Sequence, residues 1–288
     1  MQNESSLVYK YIPKKLNQMI GQNHIKKVIG NYLQNNAINK MQHLLFSGRA
    51  GVGKTTLARI IKIHFYGLGK THNYYEFNAS DDRGIDFIRE EIKKIASIKS
   101  HGNKRKIIFF DEMDNLTKEA QLAMRMIIET YQKNVLFIFS CNYPSKVEDA
   151  ILSRCMHLQF TEVPSKAIAT LLTKIAKQEE ISISKEQIKN ISENCQGDVR
   201  RAIVALDRFA LGMTDIEKPI VFKGNSLINF LMYIKSKDLL AVRDQMFREC
   251  LNNKEYSKIP IFAEVDYRIA VGSNKKMQLI YLFQEYNK

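Results

Sequence analysis

The sequence is poor in several things. It has no tryptophan, only five prolines in 288 residues, and nothing resembling the roughly 18 consecutive apolar residues that a membrane-spanning helix needs. The N-terminal stretch MQNESSLVYKYIPKK lacks the apolar centre of a secretory leader. The four cysteines, Cys141, Cys155, Cys195 and Cys250, are widely spaced, with no CxxC pair and no histidine at ligand spacing. That argues against a disulfide framework and a zinc site, and fits a reducing compartment. Acidic residues are in deficit: 30 Asp and Glu face 44 Lys and Arg, a formal net charge of +14. Such an excess favours a polyanionic partner without identifying one. The expectation is a soluble, intracellular protein with no membrane partner, and 45% apolar residues suffice for a real core.

What is present is a rhythm. From Met41, short apolar runs alternate with amphipathic stretches: HLLFSG, TTLARIIKIHFYG, YYEFNAS, IDFIREEIKKIASI, KIIFFDEMD, EAQLAMRMIIETYQ and VLFIFSCN. The runs rich in Ile, Phe and Val are too short for independent helices and predict buried parallel strands, with the amphipathic stretches as crossing helices of an α/β fold. After Phe160 the pattern is helical only, through SKAIATLLTKIAKQEE, KEQIKNISENC and DVRRAIVALDRFALG, with Asp198 a candidate N-cap. Beyond Gly212, a stretch holding Pro219 and Gly224 leads into SLINFLMYIKSKDLLAVRDQMFREC and IPIFAEVDYRIAVGSNKKMQLIYLFQEY. Three units are expected: an α/β domain over 1–160, a small helical domain over 161–215 and a terminal helical domain over 216–288.

The segment Gly48-Arg49-Ala50-Gly51-Val52-Gly53-Lys54-Thr55 fits GxxxxGK[ST] and lies between a predicted strand and a predicted helix, the context this phosphate-binding loop requires. Its glycines let backbone N–H groups turn inward around phosphate oxygens, and the helix N-terminus that follows, at Thr55-Thr56, adds a favourable field. Lys54 would neutralise the β and γ phosphates of ATP, and the Thr55 hydroxyl would ligate Mg²⁺. A strand ending in acids should accompany such a loop, and Ile107-Ile108-Phe109-Phe110-Asp111-Glu112 supplies it. Asp111 is expected to hold the Mg²⁺ and Glu112 to polarise the attacking water. Asn142, ending VLFIFSCN, could sense the γ phosphate or merely form a turn. The segment from Arg83 to Lys106 carries eight Lys or Arg (83, 89, 93, 94, 99, 104, 105, 106) against three acids, which reads as a solvated face or as a nucleic-acid contact.

Taken together these segments resemble the small subunits of replication factor C, the clamp loaders of the AAA+ ATPase superfamily. The resemblance runs nearly end to end. VYKYIPKKLNQMIGQ is similar to the family's N-terminal EKYRPKTLDDIIGQ segment, NASDDRGIDFIRE to its SDDRG signature, AQLAMRMIIE to its AQxALRRTME helix, and AEVDYRIAVGSNKKMQL to its collar segment. It implies sensor 1 at Asn142, the SRC motif at Ser153-Arg154-Cys155, and sensor 2 at Gly197-Asp198-Val199-Arg200-Arg201. It also implies a helical lid and a helical collar behind the nucleotide-binding domain. Departures are Arg49-Ala50 where the family has Pro-Pro, Ile12 and Met126 where it has Arg, and Ala150 and Leu152 before SRC.

By that resemblance the chain would be one subunit of a heteropentamer that uses ATP and Mg²⁺ to open a sliding clamp and load it on primer-template DNA. Arg154 would act in trans as an arginine finger in the neighbouring subunit's site, Arg200 would reach its own phosphates, and Arg83 and Lys146 would contact DNA phosphates. Ile95 and Ile98 could face the clamp or belong to the core. A hydrolysis-deficient structural subunit and a branch-migration helicase are the rival readings. The Lys/Ile/Asn bias and the short collar suggest a large DNA virus of a eukaryote, hence action in a nucleus or a viral replication site.

Overall fold

The computed structural model describes residues 6–69, 71–81, 84–100, 104–213, 243–244, 246–247, 250–251, 255–270 and 273–286. The chain forms two compact units, Met1–Lys218 and Pro219–Lys288. In the first, five strands make one parallel sheet: β1 (His43–Ser47), β2 (Tyr74–Asn78), β3 (Lys106–Asp111), β4 (Val135–Cys141) and β5 (Cys155–Gln159), in the order β2-β3-β4-β1-β5. Before the sheet come a short turn of helix, α1 (Leu7–Lys10), and α2 (Asn23–Gln34). The crossing helices are α3 (Lys54–Tyr66), α4 (Lys93–Ser97, continuing a π-helical turn at Phe87–Ile92), α5 (Lys118–Tyr131) and the short α6 (Asp149–Leu152).

Strand periodicity explains why the central runs are apolar throughout. Successive side chains point to opposite faces. On one face Leu44, Phe46, Ile107, Phe109, Leu136 and Ile138 pack with Ile25, Ile29, Leu57 and Ile61 from α2 and α3. On the other, Leu45, Ile108, Phe110, Phe137 and Phe139 pack with Ile88, Ile92, Met124 and Ile128. Both faces are covered, so every position of β1 and β4 is buried. β5 was not anticipated as a strand. It is an edge strand, mixed in polarity, whose one fully covered side chain is Leu158, so the signal that identifies the buried strands is missing from CMHLQ.

The sequence's basic run divides. Arg105 and Lys106 are buried: the Arg105 guanidinium donates to the carbonyls of Met41 (2.6 Å) and Val135 (2.5 Å), and the Lys106 ammonium to those of Ile95 (2.7 Å) and Ile98 (3.0 Å). Those charges tie loop ends together and are withdrawn from any external polyanion. Ile95 packs against the core, whereas Ile98 is 54% exposed.

Three lid helices follow: α7 (Ser165–Gln178), α8 (Lys185–Asn194) and α9 (Val199–Ala210). Ile168, Leu172, Ile175, Ile188, Ile191, Ile203 and Leu206 form their common core. Ser184 and Gln187 make a reciprocal capping box at the start of α8, and Asp198 caps α9 by accepting from the Arg201 N–H at 2.8 Å, as expected of it. The N-terminal segment is fastened to this lid: the Ser6 hydroxyl donates to Asp207 (2.7 Å), Lys10 pairs with Glu179 (2.7 Å), and the Tyr11 hydroxyl donates to Glu179.

In the second unit, α10 (Ile259–Ala270) and α11 (Lys275–Tyr286) share a core of Phe262, Val265, Leu279, Leu282 and Phe283 with Met246 and Cys250. Most of the block expected to be helical from Ser226 to Cys250 lies outside the described residues. Among the described residues no helix is long and apolar enough to cross a membrane.

Candidate nucleotide site

The C-terminal ends of β1, β3 and β4 are neighbours in the sheet, and each runs into one of the segments singled out in the sequence. The loop after β1 is the glycine-rich turn, held to β4 by the Gly48 N–H donating to the Cys141 carbonyl at 3.3 Å. A Cβ at Gly48 would stand 2.6 Å from the Phe160 carbonyl oxygen, and Gly51, at φ +73°, has Asp198 of the lid 1.8 Å from where its Cβ would be. Only glycine meets both demands. Gly53 caps α3, whose first residues are Lys54, Thr55 and Thr56, so the loop ends on free helix N–H groups.

Lys54 is 7% exposed. Its ammonium donates to the carbonyls of Gly48 (2.6 Å) and Arg49 (2.9 Å) and to Oδ1 of Asn142 (2.8 Å). Burial lowers its pKa, opposed by the charges of Asp111, Asp114 and Glu112 nearby. The Thr55 hydroxyl donates to Oδ2 of Asp111 at 2.7 Å, while the Ser140 hydroxyl donates to Oδ1 of the same carboxylate. Arg49 leaves the loop outward and pairs with Glu162 (2.6 Å), the residue leading from β5 to the lid. The lid is joined to the loop a second time by the Val199 N–H donating to the Gly51 carbonyl at 3.1 Å.

Glu112 adopts the left-handed region at φ 56°, uncommon outside glycine and asparagine and often found where a side chain must be aimed. Its carboxylate accepts from the Ser80 hydroxyl (2.5 Å) and from the Asn115 amide (3.2 Å), and Asn115 also donates to Ser80 (2.8 Å). Ser140, Asn115, Asp114 and Glu162 were given no role in the sequence, because polar residues next to a motif carry no spacing of their own, and Ser80 entered only as part of the SDDRG signature, without its contact to Glu112.

The structure thus brings together Gly48, Arg49, Ala50, Gly51, Val52, Gly53, Lys54, Thr55, Thr56, Asp111, Glu112 and Asn142 at one sheet edge. Lys146 lies on the same side, exposed, its ammonium 5.0 Å from the centre of the Tyr143 ring. Arg200 is exposed in the first turn of α9. Arg154 is elsewhere. It precedes β5, whose first residue Cys155 is in register with His43 at the start of β1. The P-loop begins five residues beyond, at about 3.3 Å per residue, so Arg154 stands roughly 16 Å from it. There it pairs with Glu129 of α5 and donates to the Ala150 carbonyl at 2.6 Å. Arg83 lies outside the described residues.

Residues 44–163 match the ATPase family associated with various cellular activities (AAA), and residues 170–211 match an RCF1/5-like, AAA+ ATPase lid domain. A replication factor C small subunit of Methanococcus maripaludis is 35% identical over 94% of this chain and 95% of its own length. The chain belongs to the replication factor C small subunit family. Another member, from Methanoregula boonei, is 40% identical over 75% of this chain and 66% of its own length. Among solved structures, the Thermotoga maritima RuvB Holliday junction branch migration motor superposes with a TM-score of 0.57 at 20% identity, covering 69% of this chain and 64% of that one. At that identity the likeness is one of AAA+ fold. The replication factor C relative, by contrast, matches over 94% of this chain, which takes the likeness into the terminal unit.

Proposed function

We propose that this chain is an ATP-hydrolysing small subunit of a clamp loader, which in a heteropentamer with related subunits opens a sliding clamp and loads it on primer-template DNA during intracellular DNA replication. Residues 1–160 would bind and hydrolyse the nucleotide, 161–215 form the lid and 216–288 the collar through which the ring assembles. The observation that carries the reading is the convergence of Lys54, the Thr55–Asp111 pair, Glu112 and Asn142 at one sheet edge, with Arg154 at the opposite edge.

The donor set fits a nucleotide with Mg²⁺. Among the described residues no cluster of three or more His, Cys, Asp and Glu could hold a metal alone. One hydroxyl and one carboxylate oxygen, 2.7 Å apart, suit a hard cation that takes its other ligands from phosphate and water. Held by Thr55 and Asp111, Mg²⁺ would neutralise charge on the β and γ phosphates. Lys54 now satisfies the loop's own carbonyls and would exchange them for phosphate oxygens. Asn142, already bonded to Lys54, is placed to read that exchange. Glu112 is the base for the attacking water, and it must leave Ser80 and Asn115 before it can accept the proton. Arg200 sits on the helix whose cap abuts Gly51, so a shift of the P-loop is felt in the lid. Arg154 is out of reach of its own loop and available to a neighbour. Lys146 and Arg83 would supply salt-sensitive, sequence-independent contacts to DNA phosphates.

The rival reading, a subunit without hydrolysis, draws support from Arg49-Ala50 in the loop and the pairing of Arg49 with Glu162. Native mass spectrometry of the purified complex with its clamp tests the assembly. One copy each of related subunits bound to a clamp supports the proposal. A homohexamer that ignores the clamp contradicts it.

A further inference from the structure

The acid segment after β3 contains a carboxylate that the proposed chemistry does not use. Asp114 lies three residues beyond Asp111. Its Oδ2 accepts two backbone N–H groups at once, those of Asn142 (3.2 Å) and Tyr143 (3.1 Å), where β4 turns into its loop. Its other oxygen, Oδ1, is buried and accepts no hydrogen bond among the described residues.

The two residues it grips face different ways. The Asn142 side chain accepts from Lys54 at 2.8 Å, inside the phosphate loop. Tyr143 is 60% exposed and carries the Lys146 ammonium over its ring at 5.0 Å. Between them runs one peptide bond, planar and stiff. Both N–H groups are tied to the same carboxylate oxygen, so a displacement that reaches the Tyr143 backbone carries Asn142 with it instead of being taken up between the two residues. Cations are attracted only weakly to exposed aromatic faces, so the ring sets the position of Lys146 without locking it.

We infer that Asp114 and Tyr143 are positioning residues that couple polyanion contact at Lys146 to the Asn142–Lys54 bond in the nucleotide site. Asp114 makes the Asn142–Tyr143 dipeptide a single rigid piece, and Tyr143 presents the cation at its outer end. A phosphate backbone drawing on Lys146 moves the ring, and the movement arrives at Lys54 through one peptide and one side chain. The inference rests on the clamp-loader reading for the identity of the polyanion.

The test uses the assembled complex and a synthetic primer-template duplex, with the ratio of ATP turnover with and without the duplex as readout. Asp114→Ala should bring that ratio from its wild-type value to near one, while nucleotide affinity stays within about threefold, and Asp114→Asn, which keeps an acceptor for both N–H groups, should restore most of it. Because Tyr143 is exposed, Tyr143→Leu carries no folding penalty and should lower the ratio severalfold, whereas Tyr143→Phe should preserve it. Asp114→Ala with an undiminished ratio overturns the inference, as does Asp114→Asn failing as fully as alanine, or Tyr143→Leu matching Tyr143→Phe. A wild-type complex whose turnover ignores the duplex would instead overturn the clamp-loader reading itself.

Discussion

Replacing Arg154 by alanine should leave this chain's stability and its own nucleotide affinity nearly unchanged while removing catalysis from a different site. The Arg154–Glu129 pair joins side chains that are 33% and 48% exposed, and pairs of that kind contribute about 0–1 kcal/mol. The guanidinium's bond to the Ala150 carbonyl adds about 1 kcal/mol. At 2–4 °C per kcal/mol for a domain of this size, melting should fall by roughly 8 °C at most. A unit charge about 16 Å from the P-loop interacts with a phosphate charge by about 0.3 kcal/mol in water, less than a twofold change in affinity. An arginine finger inserted into a neighbouring site contributes on the order of 10³ to 10⁵ in rate. The assay is single-turnover hydrolysis in complexes reconstituted with the substitution in this subunit alone, beside fluorescent-nucleotide binding to the isolated chain. Tenfold weaker nucleotide binding by the isolated variant would refute the reasoning. So would a turnover loss that tracks this chain's own site rather than its neighbour's.

Other predictions come from the same geometry. Ser80→Ala removes one of the two side-chain donors that engage the Glu112 carboxylate and should raise turnover without polyanion severalfold, measured as steady-state phosphate release; a fall would show that Ser80 aligns Glu112 for catalysis instead. Gly51→Ala places a Cβ at positive φ and against Asp198. The strain is about 1–2 kcal/mol, and the displaced α9 cap adds about 1, so the variant should unfold earlier by about 2–3 kcal/mol, read by denaturant titration. His43 is buried between β4 and β5, accepts the Phe137 N–H at 3.1 Å, and has its pKa lowered to about 4, chiefly by burial and further by Arg105. The unfolded chain takes up that proton near pH 6.5 and the native one only near pH 4, so this group alone removes about 3 kcal/mol of stability as pH falls through that window. His43→Gln should flatten the corresponding part of the acid limb in urea titrations, and an unchanged limb would contradict it.

The elements whose burial is two-sided were legible from composition: β1, β3 and β4 have unbroken apolar centres because helices cover both faces of the sheet. The P-loop and the acids after β3 were legible because phosphate chemistry fixes residue types at fixed spacing. What escaped has a physical reason in each instance. β5 is a half-exposed edge strand, and its first residue follows the arginine that drew attention as a motif. Arg105 and Lys106 read as surface charge because nothing in a sequence marks a cation that caps backbone carbonyls. Asp114, Ser80 and Asn115 owe their roles to partners 28, 32 and 35 residues distant, contacts that only the folded sheet edge creates.

The central claim is that this chain's own nucleotide site hydrolyses ATP in the service of the assembly. Duplex-stimulated ATP turnover of the complete complex, with Glu112→Gln in this subunit only, tests it most directly. The account predicts normal nucleotide binding and the loss of this site's share of turnover; stimulated turnover equal to that of the wild-type complex would contradict it.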